Sequence, residues 1–206
     1  MSVGVESAAG RRPRVLLGVS GSIAAIKAFD LIRTLEAGGM DVRLVATGHA
    51  WPFLLSTLLT SPGQAALLPG RLTLGVWEWV TAFFPRRGYV QHISLARWAD
   101  VIVVAPATAN TLAKIRLGLT DNFLLAVVRA APRGRPVLLA PAMNTEMWHD
   151  PAIQETAEAL GRGGKYLLIP PRTGRLHCGD VGMGAQALVG DIAAAVAEAL
   201  RTTATP

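Results

Sequence analysis

The chain has 206 residues, of which 51% are hydrophobic and 17% charged, with a formal net charge of +6. That length suits one α/β domain and is short for two, and the apolar excess favours assembly of copies into a homo-oligomer. No apolar run approaches the roughly 20 residues of a membrane span, no charged-then-apolar leader opens the chain, the arginines lie beside turns without interleaved aromatics as a nucleic-acid surface would have them, and the single cysteine, Cys178, excludes an internal disulfide or a cysteine zinc cluster; a soluble cytoplasmic protein is expected, with no membrane, nucleic-acid or metal partner.

Residues 1–13 read as a flexible arm, 14–200 as the one domain and 201–206 as a tail. Residues 14–19 form a short apolar run that ends at Gly18-Val-Ser-Gly21-Ser22, and from Ile23 apolar residues recur at helical spacing to Leu35, stopping at Gly38-Gly39. Strand, tight turn and helix follow from that order. A second strand is expected over 42–46 and a helix over 50–59, whereas 61–88, punctuated by Pro62, Pro69, Gly70, Pro85 and Gly88, reads as a long irregular excursion. His92 to Trp98 has helical spacing, and the continuous β-branched run over 100–105 gives a buried strand. A helix from near Leu112 follows, then a helix capped by Asp121 and running through Ala131. Strands at 136–140 and 166–169 flank a helix over 150–161; 170–187 reads as a Gly-rich loop and 191–200 as a closing helix. Strands alternating with helices predict a doubly wound α/β fold, a parallel sheet covered on both faces. Ligands in such sheets sit beyond the carboxyl ends of the strands where strand order reverses. The irregular segments 18–22, 105–111 and 140–148 each follow a strand end, so they are expected to converge on one site.

The turn from Gly18 to Ser22 presents backbone N–H groups at a helix start, with Ser20 and Ser22 as hydroxyl donors. Such a turn holds a phosphate, or serves equally as a tight connection. It is not the dinucleotide fingerprint, because Ala24 stands at the third glycine position. In Pro106-Ala-Thr108-Ala109-Asn110-Thr111, Thr108 or Asn110 caps a helix, and the small residues also allow a flat ring to approach within hydrogen-bonding reach. Asn144 lies between Met143 and Met147 with Trp148 close by, one amide in an apolar wall, as holding a carboxylate without neutralising it requires. Taken alone, His92 ranks with His49, His149 and His177 as an ordinary histidine.

Taken together, Gly18 to Ala25, His92-Ile-Ser-Leu-Ala-Arg97-Trp-Ala-Asp, Pro106-Ala-Thr-Ala-Asn-Thr, Pro141-Ala-Met-Asn-Thr-Glu-Met-Trp and Leu176-His-Cys-Gly-Asp-Val-Gly-Met-Gly closely resemble the homo-oligomeric flavin-containing cysteine decarboxylases, over residues 14–197. The resemblance implies a Rossmann-like single domain, FMN bound between subunits, and a trimer as the basic unit, which some members assemble into a dodecamer of four trimers. Carried over residue by residue, it implies that Gly21, Ser22 and Ile23 face the FMN phosphate and ribityl chain, and that Thr47 and Phe53 lie near the isoalloxazine. Thr108, Ala109 and Asn110 then line the other side of the flavin, with Met143 also against the cofactor. His92 stands at the place of the catalytic base, Asn144 at that of the residue gripping the substrate carboxylate, with Arg97 and Met147 beside the substrate, and Cys178 at that of the flap cysteine.

The chemistry so implied is oxidative. Hydride leaves the cysteine Cβ for the flavin while a base takes the thiol proton; the resulting thioaldehyde lies β to the carboxylate, loses CO2 and leaves an enethiol. Members acting on phosphopantothenoylcysteine then reduce the enethiol with the flap cysteine as proton donor, whereas members acting on the C-terminal cysteine of a peptide release it. Cys178 matches the first branch; His177, Ser94 and the flap ending Ala185-Gln-Ala-Leu-Val depart from it. The sequence leans to a cysteine-terminated peptide substrate, with phosphopantothenoylcysteine as the alternative and an FMN-binding protein that does not decarboxylate as a further one.

Overall fold

The computed structural model describes residues 10–61, 63, 72–73 and 90–204. Strand β1 (Arg14–Val19) alternates as the apolar run requires: Val15, Leu17 and Val19 enter one core layer and Leu16 the other. A 3-10 turn at Ile23–Lys27 leads into α1 (Ala28–Ala37), whose Phe29, Ile32 and Leu35 form one buried stripe, so the single helix expected here is two pieces. It stops at Gly38-Gly39, where Gly39 takes φ +84°, a conformation open to glycine at little cost. Next come β2 (Asp41–Ala46), a 3-10 turn at Gly48–Ala50, and α2 (Trp51–Thr60).

Of the expected excursion over 61–88, a short strand β3 (Leu72–Thr73) is described, pairing with β2; residues 62, 64–71 and 74–88 lie outside the described residues, as do most of the expected arm and residues 205–206 of the tail. Helix α3 (Gln91–Trp98) then leads into β4 (Val101–Ala107), buried along its whole length. Helix α4 (Ala109–Leu117) starts three residues before the expected Leu112, because Thr108 is its N-cap. Helix α5 (Phe123–Arg129) is capped by Asn122, not by Asp121, whose carboxylate pairs with Lys114 instead. Strand β5 (Val137–Pro141), a short α6 (Thr145–His149), α7 (Pro151–Arg162) and β6 (Tyr166–Leu168) follow.

The expected loop over 170–187 is an antiparallel hairpin of β7 (Arg172–Arg175) and β8 (Val181–Ala185). The closing helix α8 (Val189–Ala204) is longer at both ends than expected and takes in most of the expected tail.

The main sheet runs β3-β2-β1-β4-β5-β6, every neighbouring pair parallel. This is a single Rossmann-like, doubly wound α/β domain. One core layer packs Phe29, Ile32, Leu35, Ile192 and Val196 against the sheet, and the other packs Leu112, Leu124, Val128 and Leu160. Each large side chain removed from water contributes about 1.5–3 kcal/mol.

At the amino ends of β1 and β4, Asp100 accepts from Arg11 (2.6 and 2.8 Å), from the Arg14 backbone N–H (2.9 Å) and from Arg135 (2.9 Å). Burial opposes ionisation of Asp100, but those hydrogen bonds and the charges of Arg11 and Arg135 outweigh it and hold the carboxyl below its ordinary value. Arg43 and Arg14 lie 4.2 and 5.7 Å from the Trp98 ring centroid. Arg11, Arg14, Arg43 and Arg135 therefore fasten the fold.

Candidate functional site

Strand order reverses between β1 and β4, and their carboxyl ends part there. A cavity of 650 Å³ opens at that point. Its wall comes from the segments after successive strands: Gly21 and Ser22 after β1, Thr47 to His49 after β2, Thr108 to Thr111 after β4, and Ala142 and Met143 after β5. Met147 of α6 and the Lys114, Asp121 and Asn122 rim complete it.

The turn after β1 is built for close approach. A Cβ on Gly21 would collide with the Cβ and backbone of His49, so only glycine lets the two segments meet. Ser22 caps the 3-10 turn by accepting from the Ala24 N–H (3.3 Å), which leaves its hydroxyl hydrogen for a ligand. Ser20 is different. Only 1% exposed, it donates to the Pro106 carbonyl (2.7 Å) and accepts from the Thr108 N–H (3.0 Å). The expectation that it offers a donor to phosphate is corrected: its one hydrogen is committed to joining the end of β1 to the end of β4.

At the end of β4, Thr108 accepts from the Thr111 N–H (3.3 Å), and the two threonine hydroxyls lie 3.0 Å apart. Ala109 is buried and Asn110 exposed at the start of α4. Asn144 caps α6, its Oδ1 accepting from the Met147 N–H (2.8 Å). That bond needs an acceptor, so the amide NH2 is the end left facing outward.

The β7–β8 hairpin sits on this same loop. The Met143 N–H donates to the Gly184 carbonyl (3.0 Å), and Gly182 lies against the Thr145 side chain, where a Cβ would collide with it. At the hairpin turn the exposed Cys178 thiol donates to Asp180 Oδ2 (3.2 Å).

The structure thus gathers Gly21, Ser22, Thr47, Thr108, Ala109, Asn110, Met143 and Met147 in one wall. Six expected residues lie outside it. Ile23 opens the 3-10 turn, Phe53 packs on the core from α2, and Asn144 and Cys178 lie at α6 and the hairpin turn. His92 and Arg97 ride on α3, which packs against α5 and is not part of the cavity wall. The sequence reading did not pick out His49, Lys114, Asp121 and Asn122, which the cavity includes; only the position of His49 just past a strand end could have signalled it.

The donor set fits FMN: backbone N–H groups and a free hydroxyl hydrogen at the Gly21-Ser22 turn suit a phosphate, and Ala109, Ala142, Met143 and Met147 offer apolar surface to a flat ring beside the Thr108 to Asn110 helix start. Among the described residues no group of acidic, histidine or cysteine side chains could hold a metal, and no helix is long and apolar enough to cross a membrane.

Residues 5–201 match the Flavoprotein family. Phosphopantothenoylcysteine decarboxylase of Oryza sativa subsp. japonica is 43% identical over 176 residues, 85% of this chain and 76% of the rice protein. Among solved structures, a PPC decarboxylase cysteine-to-serine mutant complexed with pantothenoylaminoethenethiol superposes with TM-score 0.77 at 41% identity, covering 90% of this chain and 97% of that one. The FMN-dependent cysteine decarboxylase SpaF superposes with TM-score 0.71 at 30% identity, covering 94% and 98%.

Proposed function

The chain belongs to the Flavoprotein family, as an FMN-dependent cysteine decarboxylase, and from that premise we propose that its substrate is phosphopantothenoylcysteine and its product the saturated thiol. The observation that carries this reading is Cys178: a thiol whose hydrogen is held by Asp180, at the turn of a hairpin seated on the Asn144 loop. An enzyme that releases an enethiol has no use for a proton donor there. The 43% identity to a phosphopantothenoylcysteine decarboxylase, against 30% to SpaF, supports the same side.

FMN, when bound, would supply hydride acceptance and donation at the cysteine Cβ. Gly21, Ser22 and Ile23 would hold its phosphate and ribityl chain, and Thr47, Phe53, Thr108, Ala109, Asn110 and Met143 would surround its ring. His92 takes the substrate thiol proton, and the Asn144 NH2 and Arg97 hold the substrate carboxylate beside Met147 until CO2 departs. Cys178 then gives its proton to the enethiol carbon. Because His92 and Arg97 lie outside the cavity of their own chain, they complete the site of a neighbouring copy in a homotrimer or a dodecamer of trimers. Leu59 (83% exposed) and Leu117 (71%) supply apolar surface for such contacts.

A second reading, a cysteine-terminated peptide as substrate and the enethiol as product, is favoured by the altered flap ending from Ala185 to Val189. The two readings separate by product mass. Incubation of the FMN-loaded protein with phosphopantothenoylcysteine should yield the thiol 44 mass units below substrate, that is minus CO2 alone, by the redox balance of this chemistry, about two units above the enethiol. Turnover confined to a cysteine-terminated peptide, stopping at the enethiol, would overturn the first reading.

A further inference from the structure

Of the described residues that line the 650 Å³ cavity, three have ionisable side chains: His49, Lys114 and Asp121. Lys114 and Asp121 pair with each other on the α4 side. The His49 side chain is exposed and makes no hydrogen bond or ion pair among the described residues. It belongs to the 3-10 turn at Gly48–Ala50 that follows β2. Gly21 lies so close to that turn that a Cβ there would collide with the His49 Cβ and crowd its carbonyl. The imidazole is therefore rooted directly beside the Gly21-Ser22 turn.

Donors at that turn are few. The Ser22 N–H donates to the Ser20 carbonyl (2.9 Å), the Ala24 N–H to the Ser22 hydroxyl oxygen (3.3 Å) and the Ser20 hydroxyl to the Pro106 carbonyl (2.7 Å). The neighbouring elements add no charge to this end of the cavity. Helix α2, which packs on both 3-10 turns, carries no ionisable side chain, and Lys27, at the far end of the turn after Ser22, lines a separate groove with Ile26 and Asp30. A phosphate monoester brings a charge near −2 and three acceptor oxygens. The remaining N–H groups and the Ser22 hydroxyl hydrogen give it hydrogen bonds but only partial positive charge.

We infer that His49, as its imidazolium, is the counter-cation of the FMN phosphate and makes retention of the cofactor pH-dependent; the inference rests on that phosphate lying at the Gly21-Ser22 turn, as proposed above. An imidazolium donates a charge-assisted hydrogen bond to a phosphate oxygen, stronger than a neutral donor gives. Histidine exchanges its proton within the physiological range. A phosphate that favours the charged ring also holds the proton on it, so the His49 contribution to FMN affinity is fully present at low pH and is lost as pH rises and the bound ring gives up its proton. The phosphate exchanges its own second proton at about pH 6 in wild type and variants alike, so a comparison of the two isolates the histidine.

The test equilibrates the full-length FMN-loaded protein with mixtures of FMN and riboflavin, the same flavin without the phosphate, and identifies the flavin retained after gel filtration. The preference for FMN over riboflavin measures the phosphate contact alone. His49→Gln keeps the Cβ and backbone that meet Gly21, so the fold is retained. It should lower that preference about tenfold at about pH 6, and the difference from wild type should fade by about pH 9. His49→Lys should keep the preference at the alkaline end, where wild type loses it. Ser22→Ala, which removes a neutral donor from the same turn, should lower the preference by a factor that does not change with pH. A lowered preference in Ser22→Ala beside an unchanged one in His49→Gln would overturn the counter-cation while leaving the phosphate at its turn. A loss in His49→Gln that is equal at every pH would show that the ring acts by shape and not by charge, and would overturn it as well. No effect of either variant would remove the phosphate from this turn, and the inference with it.

Discussion

Asn144 commits its Oδ1 to the Met147 N–H, and that commitment separates two of its possible substitutions. Aspartate caps a helix as well as asparagine does, so Asn144→Asp should keep the fold and the FMN but fail with substrate, because a second carboxylate then faces the substrate's own. Asn144→Ala should instead lose about 1 kcal/mol of stability along with the cap. Thermal melts and KM on the two variants distinguish these outcomes. Ser20 offers a similar check. Its removal leaves the Thr108 N–H without a partner, while the Pro106 carbonyl keeps the bond from the residue-20 backbone N–H (3.2 Å), so Ser20→Ala should cost about 1–3 kcal/mol in urea unfolding. A null result there would mean that water takes up the Thr108 N–H. Both residues show why the sequence was only partly readable: their types announced hydrogen bonding, but which atom each would satisfy depended on segments far away in the chain, such as the Pro106 to Thr108 stretch that meets Ser20.

The strands and long helices were legible in the sequence because each declares itself by period: the continuous run of β4 and the buried stripe of α1 need no tertiary information. The hairpin was not. Its strands are short, carry Gly174, Gly182 and Gly184, and bury few apolar side chains, so the alternation that marks a strand is weak. What fixes it is contact with the Asn144 loop. Gly184 has φ +130° and a Cβ there would meet the Met143 carbonyl, whereas a Cβ on Gly174 would meet only the movable end of Arg172. Gly184→Ala should therefore lift the hairpin from that loop, read as faster limited proteolysis at 176–181 and a raised KM, while Gly174→Ala should spare hairpin protection. Equal protection in both variants would show that the loop can follow the hairpin. The cap of α4 was narrowed to Thr108 or Asn110 and that of α5 was assigned to Asp121 in place of Asn122, because each helix start offers two acceptors close together, and the choice is made by which neighbour must bury, Ala109 in one case and Phe123 in the other.

At the scale of the whole molecule, the proposed role of His92, outside its own cavity, makes catalysis a property of the assembly. Two inactive variants, His92→Asn and Asn144→Asp, dissociated and reassembled together, should recover activity, since random mixing leaves about a quarter of the shared sites with both native residues. Each variant reassembled alone should stay inactive, and an inactive mixture would place both residues in one subunit's site. A second prediction concerns Asp100. Its folded-state carboxyl titrates below the unfolded value of about 3.9, so its contribution is fully present above that value and is lost as pH falls through the folded value. The stability gap between wild type and Asp100→Asn, measured by denaturant unfolding, should be constant at neutral pH and shrink only below about pH 4. A gap that closes nearer neutrality would point to a different group. The Asp100 fastening binds the amino ends of β1 and β4, whereas the cavity opens at their carboxyl ends. Acid that loosens the fastening therefore acts at the end of the sheet opposite the cavity, and a fall in turnover above about pH 4 has a source other than protonation of this carboxylate.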